Sequence, residues 1–160
     1  MGTYQSKYTG AEIDALLDKV NQGGGSGNYT ESELLSAPVE YAVKKEATTI
    51  GQDLVLLENV SNFNELEFAI CRRASSTGEL FNYGYKRLLV SNIKYNPTDT
   101  STFDGSRFAL ETQAMTSIGD CCGLWFKDAK TIRIYNTISG DSNVGTSSYF
   151  RITSIKGIKH

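Results

Sequence analysis

The chain has 160 residues, enough for one ordinary domain and a small appendage, and its 16 basic and 18 acidic groups leave a formal charge of −2. Residues 1–46 hold four lysines against seven acidic residues, and the remainder twelve basic against eleven acidic. Neither part has the concentrated positive charge of a phosphate-binding face, no apolar run reaches membrane-spanning length, and the start lacks the charged head and apolar core of a secretion signal. These readings predict no nucleic-acid partner and no membrane insertion, and a chain that leaves a cell without a classical signal if it leaves at all.

The first element is a short amphipathic segment. Thr9 and Glu12 stand at the spacing of a capping box, in which each side chain satisfies an amide of the other's turn. Ile13, Leu16, Leu17 and Val20 follow at i, i+3, i+4 and i+7, which predicts one apolar stripe on a helix within residues 1–22. A helix this short is marginal alone in water, so its stripe requires a partner, either the body of its own chain or copies of itself. These four residues are the candidate oligomerisation seam. The run Gly23-Gly24-Gly25-Ser26-Gly27 then reads as a flexible linker over 23–28, since it lacks the Lys-Ser/Thr that completes a phosphate loop.

The remainder, 29–160, reads as one head domain. Thr30 and Glu33 suggest a second capped turn, running into Leu34 and Leu35 and ended by Pro38. Strands follow: Asp53–Glu58; Glu65–Ile70, with Leu66, Phe68 and Ile70 alternating against a wet face; Lys86–Ser91; Arg107–Glu111; Gly123–Lys127; Thr131–Tyr135; and Tyr149–Ile155, continuing to Ile158. Turn-rich stretches separate them at Ser75–Gly78, Asn96–Gly105 and Ser139–Gly145. Many short strands with almost no helical pattern after Pro38 predict an all-β fold, an antiparallel β-sandwich of jelly-roll-like form, or a barrel.

Catalytic constellations are scarce. The only histidine is the last residue, His160, so no imidazole stands ready for a triad or a zinc site, and Cys121 or Cys122 has no His to activate it. Three cysteines are an odd count for a disulfide scaffold; Cys71 falls in an apolar strand, and the adjacent pair reads as two thiols, one directed inward. Glu65 and Glu67 share a strand face, but two acids on a wet face are ordinary surface more often than an acid/base pair. Asp141–Asn143 has too few carboxylates for calcium. No metal, no cofactor and no catalytic residue is expected.

Exposed aromatics are the better lead. Phe81-Asn82-Tyr83-Gly84-Tyr85 places three rings among small polar residues in what reads as a loop or hairpin. Phe81, Tyr83 and Tyr85 are the candidate ligand-binding residues, because such rings stack on sugars or anchor a protein partner; the alternative is that Phe81 and one Tyr fill the core. Trp125, between Leu124 and Phe126, fits the core or an inter-chain seam better than a ligand platform.

Three segments carry a resemblance. Tyr8–Val20 looks like a segment that recurs in tail-fibre and tail-associated proteins of phages and prophages, especially those of gut bacteria. Val60-Ser61-Asn62-Phe63-Asn64-Glu65-Leu66-Glu67-Phe68 is similar to the lead-in to a sheet strand in their head domains, and Phe150–Lys159 to their closing strand, which ends in Gly-Ile-Lys. The resemblance implies a homotrimeric fibre tip located in the virion tail, whose β-sandwich head contacts a cell-surface receptor, a glycan or a protein. It carries no residue-level binding site to this chain. A long repetitive shaft, frequent in such fibres, has no counterpart here. Two other readings stand beside it: a glycan-degrading enzyme of a tail appendage, and a soluble β-sandwich protein-interaction domain.

Overall fold

Strands dominate the computed structural model, which describes residues 9, 11, 12, 14, 29–43, 48–73, 78–98, 107–112, 121–138 and 148–160. The chain divides into two units, Met1–Thr30 with His160 and Glu31–Lys159. In the first, the capping box forms. The Thr9 amide and hydroxyl donate to the Glu12 carboxylate at 2.8 and 2.9 Å, and the Glu12 amide points back to the Thr9 hydroxyl at 3.4 Å. These bonds hold the Glu12 carboxyl below its usual range. Ala11, Glu12 and Asp14 have helical backbone, while Ile13, Leu16, Leu17, Val20 and the Gly23–Gly27 run lie outside the described residues.

The second unit contains two antiparallel sheets. The strands are β1 Thr30–Glu33, which starts on the last residue of the first unit, β2 Val39–Val43, β3 Thr48–Val55, β4 Glu65–Arg73, β5 Leu80–Leu89, β6 Arg107–Glu111, β7 Cys121–Phe126, β8 Thr131–Ile138 and β9 Ser148–Lys159. One sheet runs β1-β9-β4-β5, with β2 also on β9; the other runs β3-β8-β7-β6. The long β9 therefore has β1 and β2 along one edge and β4 along the other. A single hydrophobic core draws on both sheets: Leu66, Phe68, Ile70, Phe150, Ile152 and Ile155 from one, Leu110, Cys122, Leu124, Phe126, Ile132 and Ile134 from the other. Period-two alternation delivers these side chains to one face of each strand, and in β9 a bulge between Ile152 and Ser154 shifts the phase so that Ile155 joins Phe150 and Ile152 in the core.

Several elements differ from the sequence reading. Thr30–Glu33 is strand β1 rather than a capped turn. The Glu33 carboxylate accepts the amides of Leu35 and Ile155 at 3.1 and 3.0 Å and the Ser154 hydroxyl, so it serves β9 instead of a helix start. β2 had no counterpart in the reading, and β3 begins at Thr48 and ends at Val55. Beyond Val55 the chain turns inward, Leu56 donating to the Lys130 carbonyl and Leu57 to the Leu34 carbonyl, both at 2.9 Å. β5 starts at Leu80, so Phe81–Tyr85 lies in the second strand of the β4–β5 hairpin rather than in a loop. Two copies of Val-Ser-Asn, at Val60–Asn62 and Val90–Asn92, form single 3-10 turns just before β4 and just after β5. Of the expected turn stretches, residues 75–77, 99–105 and 139–145 lie outside the described residues. Among those described, no helix is long and apolar enough to cross a membrane.

Candidate functional site

β5 closes its sheet, pairing with β4 in the register Ala69 opposite Tyr85, Ile70 opposite Gly84 and Arg72 opposite Phe81. On this edge Tyr83 is 55% exposed and Tyr85 72% exposed, so two rings stand in solvent two positions apart. Phe81 behaves differently. It is half-buried, with the guanidinium carbon of Arg72, itself 8% exposed, 5.4 Å from its ring centroid. The structure thus leaves the two tyrosines together and packs Phe81 against Arg72 near the start of the strand.

Gly84, between the tyrosines, is held in close contact with the other sheet. A Cβ at this position would lie 2.8 Å from the Glu111 carbonyl oxygen and 3.2 Å from Ile70 Cγ1. The absent side chain lets β5 approach β6, the last strand of the other sheet. Between the two edges lies a groove of about 340 Å³, lined by Gly84, Tyr85 and Lys86 on one side and Ala109, Glu111 and Thr112 on the other. Its groups are mixed: one aromatic ring, one ammonium, one carboxylate and one hydroxyl residue. The Cys121 thiol donates to the Glu111 carboxylate at 3.4 Å from the neighbouring strand, where the two residues are directly paired. Lys86, Glu111 and Thr112 escaped the sequence reading. The available signal was Gly84 itself, because a lone glycine inside an alternating pattern marks a close backbone approach.

The remaining candidates resolve into scaffold. Arg87 lies directly across from Glu67 and binds it at 2.8 Å, with Glu65 at 3.8 Å from the same guanidinium. The two carboxylates share one cation on the outer face of the sheet. Cys71 and Cys122 are buried thiols, while Cys121 is partly exposed. Burial, reinforced by Cys121, pushes the Cys122 thiol up to about 12, and burial likewise raises Cys71, with Glu40 adding to the rise and Arg151 and Arg73 opposing it. Thiols held protonated are poor nucleophiles. Above Cys71's strand, Glu40 receives Arg73 at 2.9 Å and Arg151 at 2.7 Å.

On the outer face of the other sheet Asp53, Arg133, Trp125 and Arg107 form one cross-strand row. Trp125 is only 4% exposed: Arg107 lies over its ring at 5.6 Å, Tyr135 packs beside it at 5.4 Å, and its indole N–H donates to the Asn96 carbonyl at 3.1 Å. It is therefore a covered ring rather than a platform. Burial raises the Asp53 carboxyl, but hydrogen bonds and charge from Lys127 and Arg133 outweigh that and hold it below its usual range. Among the described residues, no group of three or more His, Cys, Asp or Glu gathers where a metal ion would sit. No protein-family model matches this chain, and a search of curated proteins finds no significant relative.

Proposed function

We propose that this chain is the non-enzymatic receptor-binding head of a phage-like tail fibre or appendage. In this reading Glu31–Lys159 is a β-sandwich, the N-terminal segment trimerises the chain through Ile13, Leu16, Leu17 and Val20, and the β5 edge contacts a glycan or protein on a bacterial surface. The two sheets sharing one core support the sandwich. In this reading the form is jelly-roll-like: β2–β3–β4 and β8–β9 pass between the two sheets, while β4–β5 is a hairpin within one sheet and β6–β7–β8 a meander within the other.

The observation that carries the functional reading is the exposure of Tyr83 and Tyr85 on a sheet-closing strand. Large rings left in solvent on a rigid element are low-entropy anchors for a partner. The pairing of Glu65 and Glu67 through Arg87 favours binding over hydrolysis, since it occupies the carboxylates a glycosidase would need apart and aimed at one bond. Labelled protein is incubated with a panel of gut-bacterial cells and their purified surface polysaccharides. Binding is expected to fall on the order of tenfold or more in both Tyr83→Ala and Tyr85→Ala. Unchanged binding in both variants removes this edge as the contact surface, and release of reducing sugar would replace the binding reading with an enzymatic one.

A further inference from the structure

We infer that β5 takes its receptor by strand addition: an extended segment of a surface protein pairs with the outward edge of residues 85–89. This rests on the reading of the β5 edge as the receptor contact, and assigns that contact to a protein rather than a glycan. The sheet register determines which peptide groups face outward. The Val90 amide donates to the Asn64 carbonyl at 2.9 Å, and Leu89 opposite Glu65, Leu88 opposite Leu66 and so on to Tyr85 opposite Ala69 continue from that pair. In an antiparallel ladder, pairs that exchange hydrogen bonds alternate with pairs that do not. Leu88 and Lys86 therefore bond to β4, whereas Leu89, Arg87 and Tyr85 direct their N–H and C=O groups away from it. Among the described residues β4 is the one strand that pairs with β5.

Such an edge repeats a donor and an acceptor at every second residue, roughly 7 Å apart, which an extended polypeptide matches and the hydroxyl rim of a sugar does not. The side chains point to the same occupant. Tyr85, Arg87 and Leu89 share the outer face with Ala69, Glu67 and Glu65, which stand opposite them. Leu89 is 50% exposed, an aliphatic anchor in line with Tyr85 that offers no ring for a sugar to stack on. Between them Arg87 is held by Glu67 at 2.8 Å and reaches Glu65 at 3.8 Å, so two carboxylates face one guanidinium. The incoming segment is therefore apolar where it meets Tyr85 and Leu89, and not acidic where it meets Arg87. A second copy of this chain fits poorly. The antiparallel register that engages all three residues sets Arg87 opposite its counterpart and brings the two excess negative charges face to face.

Leu89 lets the backbone contact be tested apart from the side chain. Its φ of −71° suits proline, and its N–H takes no part in the β4 ladder, so Leu89→Pro removes an outward donor without breaking the sheet. Leu89→Ala removes the side chain and keeps the donor. Labelled full chain is titrated onto the gut-bacterial cells that bind the parent. Leu89→Pro is expected to weaken binding on the order of tenfold and Leu89→Ala severalfold, with urea midpoints close to the parent's. Proteinase K treatment of the cells is expected to abolish binding of the parent, and periodate oxidation of their glycans to leave it intact; this arm needs no variant to fold. Equal losses for the two variants at parent-like midpoints overturn strand addition, as does binding that survives proteinase K and falls with periodate. The receptor reading then stands where Tyr83→Ala and Tyr85→Ala still lower binding. A fall in the mass of the free chain on Leu89→Pro gives the edge to a second copy and overturns the assignment as well. If no cell binds the parent, both readings fall.

Discussion

Gly157 shows how much one missing methyl group decides. On β9 it lies opposite Leu66, and a Cβ there would sit 2.6 Å from both Cγ and Cδ2 of Phe63 and 2.7 Å from Cδ1. The bare backbone is pressed flat on the ring, which is buried, and the Lys159 ammonium covers it at 5.3 Å from the centroid. Gly157→Ala is expected to cost about 1–3 kcal/mol as an overpacking substitution. Urea unfolding measures it, and Phe63→Leu in the same background is expected to return part of the loss. A Gly157→Ala protein as stable as the parent would show that the ring is not held against the strand. The Gly-Ile-Lys ending was visible in the sequence as a pattern; the ring it accommodates, some ninety residues earlier in the chain, was not.

At the scale of elements, β9 depends on how its β1–β2 edge is filled. β2 covers it from Ser148 to Ile152, and β1 pairs nearer its C-terminal end. In the interval, Leu34 donates to the Ile155 carbonyl at 2.7 Å and the Glu33 carboxylate accepts the Ile155 amide at 3.0 Å. A side chain thus replaces a strand carbonyl where β1 ends. Glu33→Ala leaves the Ile155 amide without that acceptor and is expected to cost about 1–3 kcal/mol. Glu33→Gln keeps a carbonyl oxygen in place and is expected to retain most of the stability. Equal midpoints for both variants and the parent in urea would refute this clasp.

The same region shows why some elements were legible and others were not. β4, β6 and β8 begin where the alternation begins, because each has a buried face and a wet one. Thr30 and Glu33 satisfy the spacing of a capping box as well as Thr9 and Glu12 do, yet only the N-terminal pair forms one. Local spacing cannot report that β9 will supply an amide and a hydroxyl to Glu33 from more than a hundred residues away. β5 was half legible: Lys86–Leu89 read as strand, but Gly84 among aromatics mimicked a turn. What it marks is the proximity of β6, a non-local fact, and the groove depends on that proximity.

For the whole molecule, the proposed trimer has an energetic constraint. A stripe of Ile13, Leu16, Leu17 and Val20 spans little more than one heptad, too little for a coiled coil to hold three chains alone. If the chain is a trimer, the heads must share the association, and the two contributions are separable. The full chain at micromolar concentration is expected to sediment at three times the monomer mass. Leu16→Glu with Leu17→Glu places charge in the stripe and is expected to shift dissociation to higher concentration by an order of magnitude or more. A chain lacking residues 1–27 is expected to behave like that double variant, because both leave the heads as the only contact. A monomeric mass for the full chain under the same conditions removes the trimer. A trimer indifferent to both changes instead assigns the assembly to the heads and frees the N-terminal stripe for another partner.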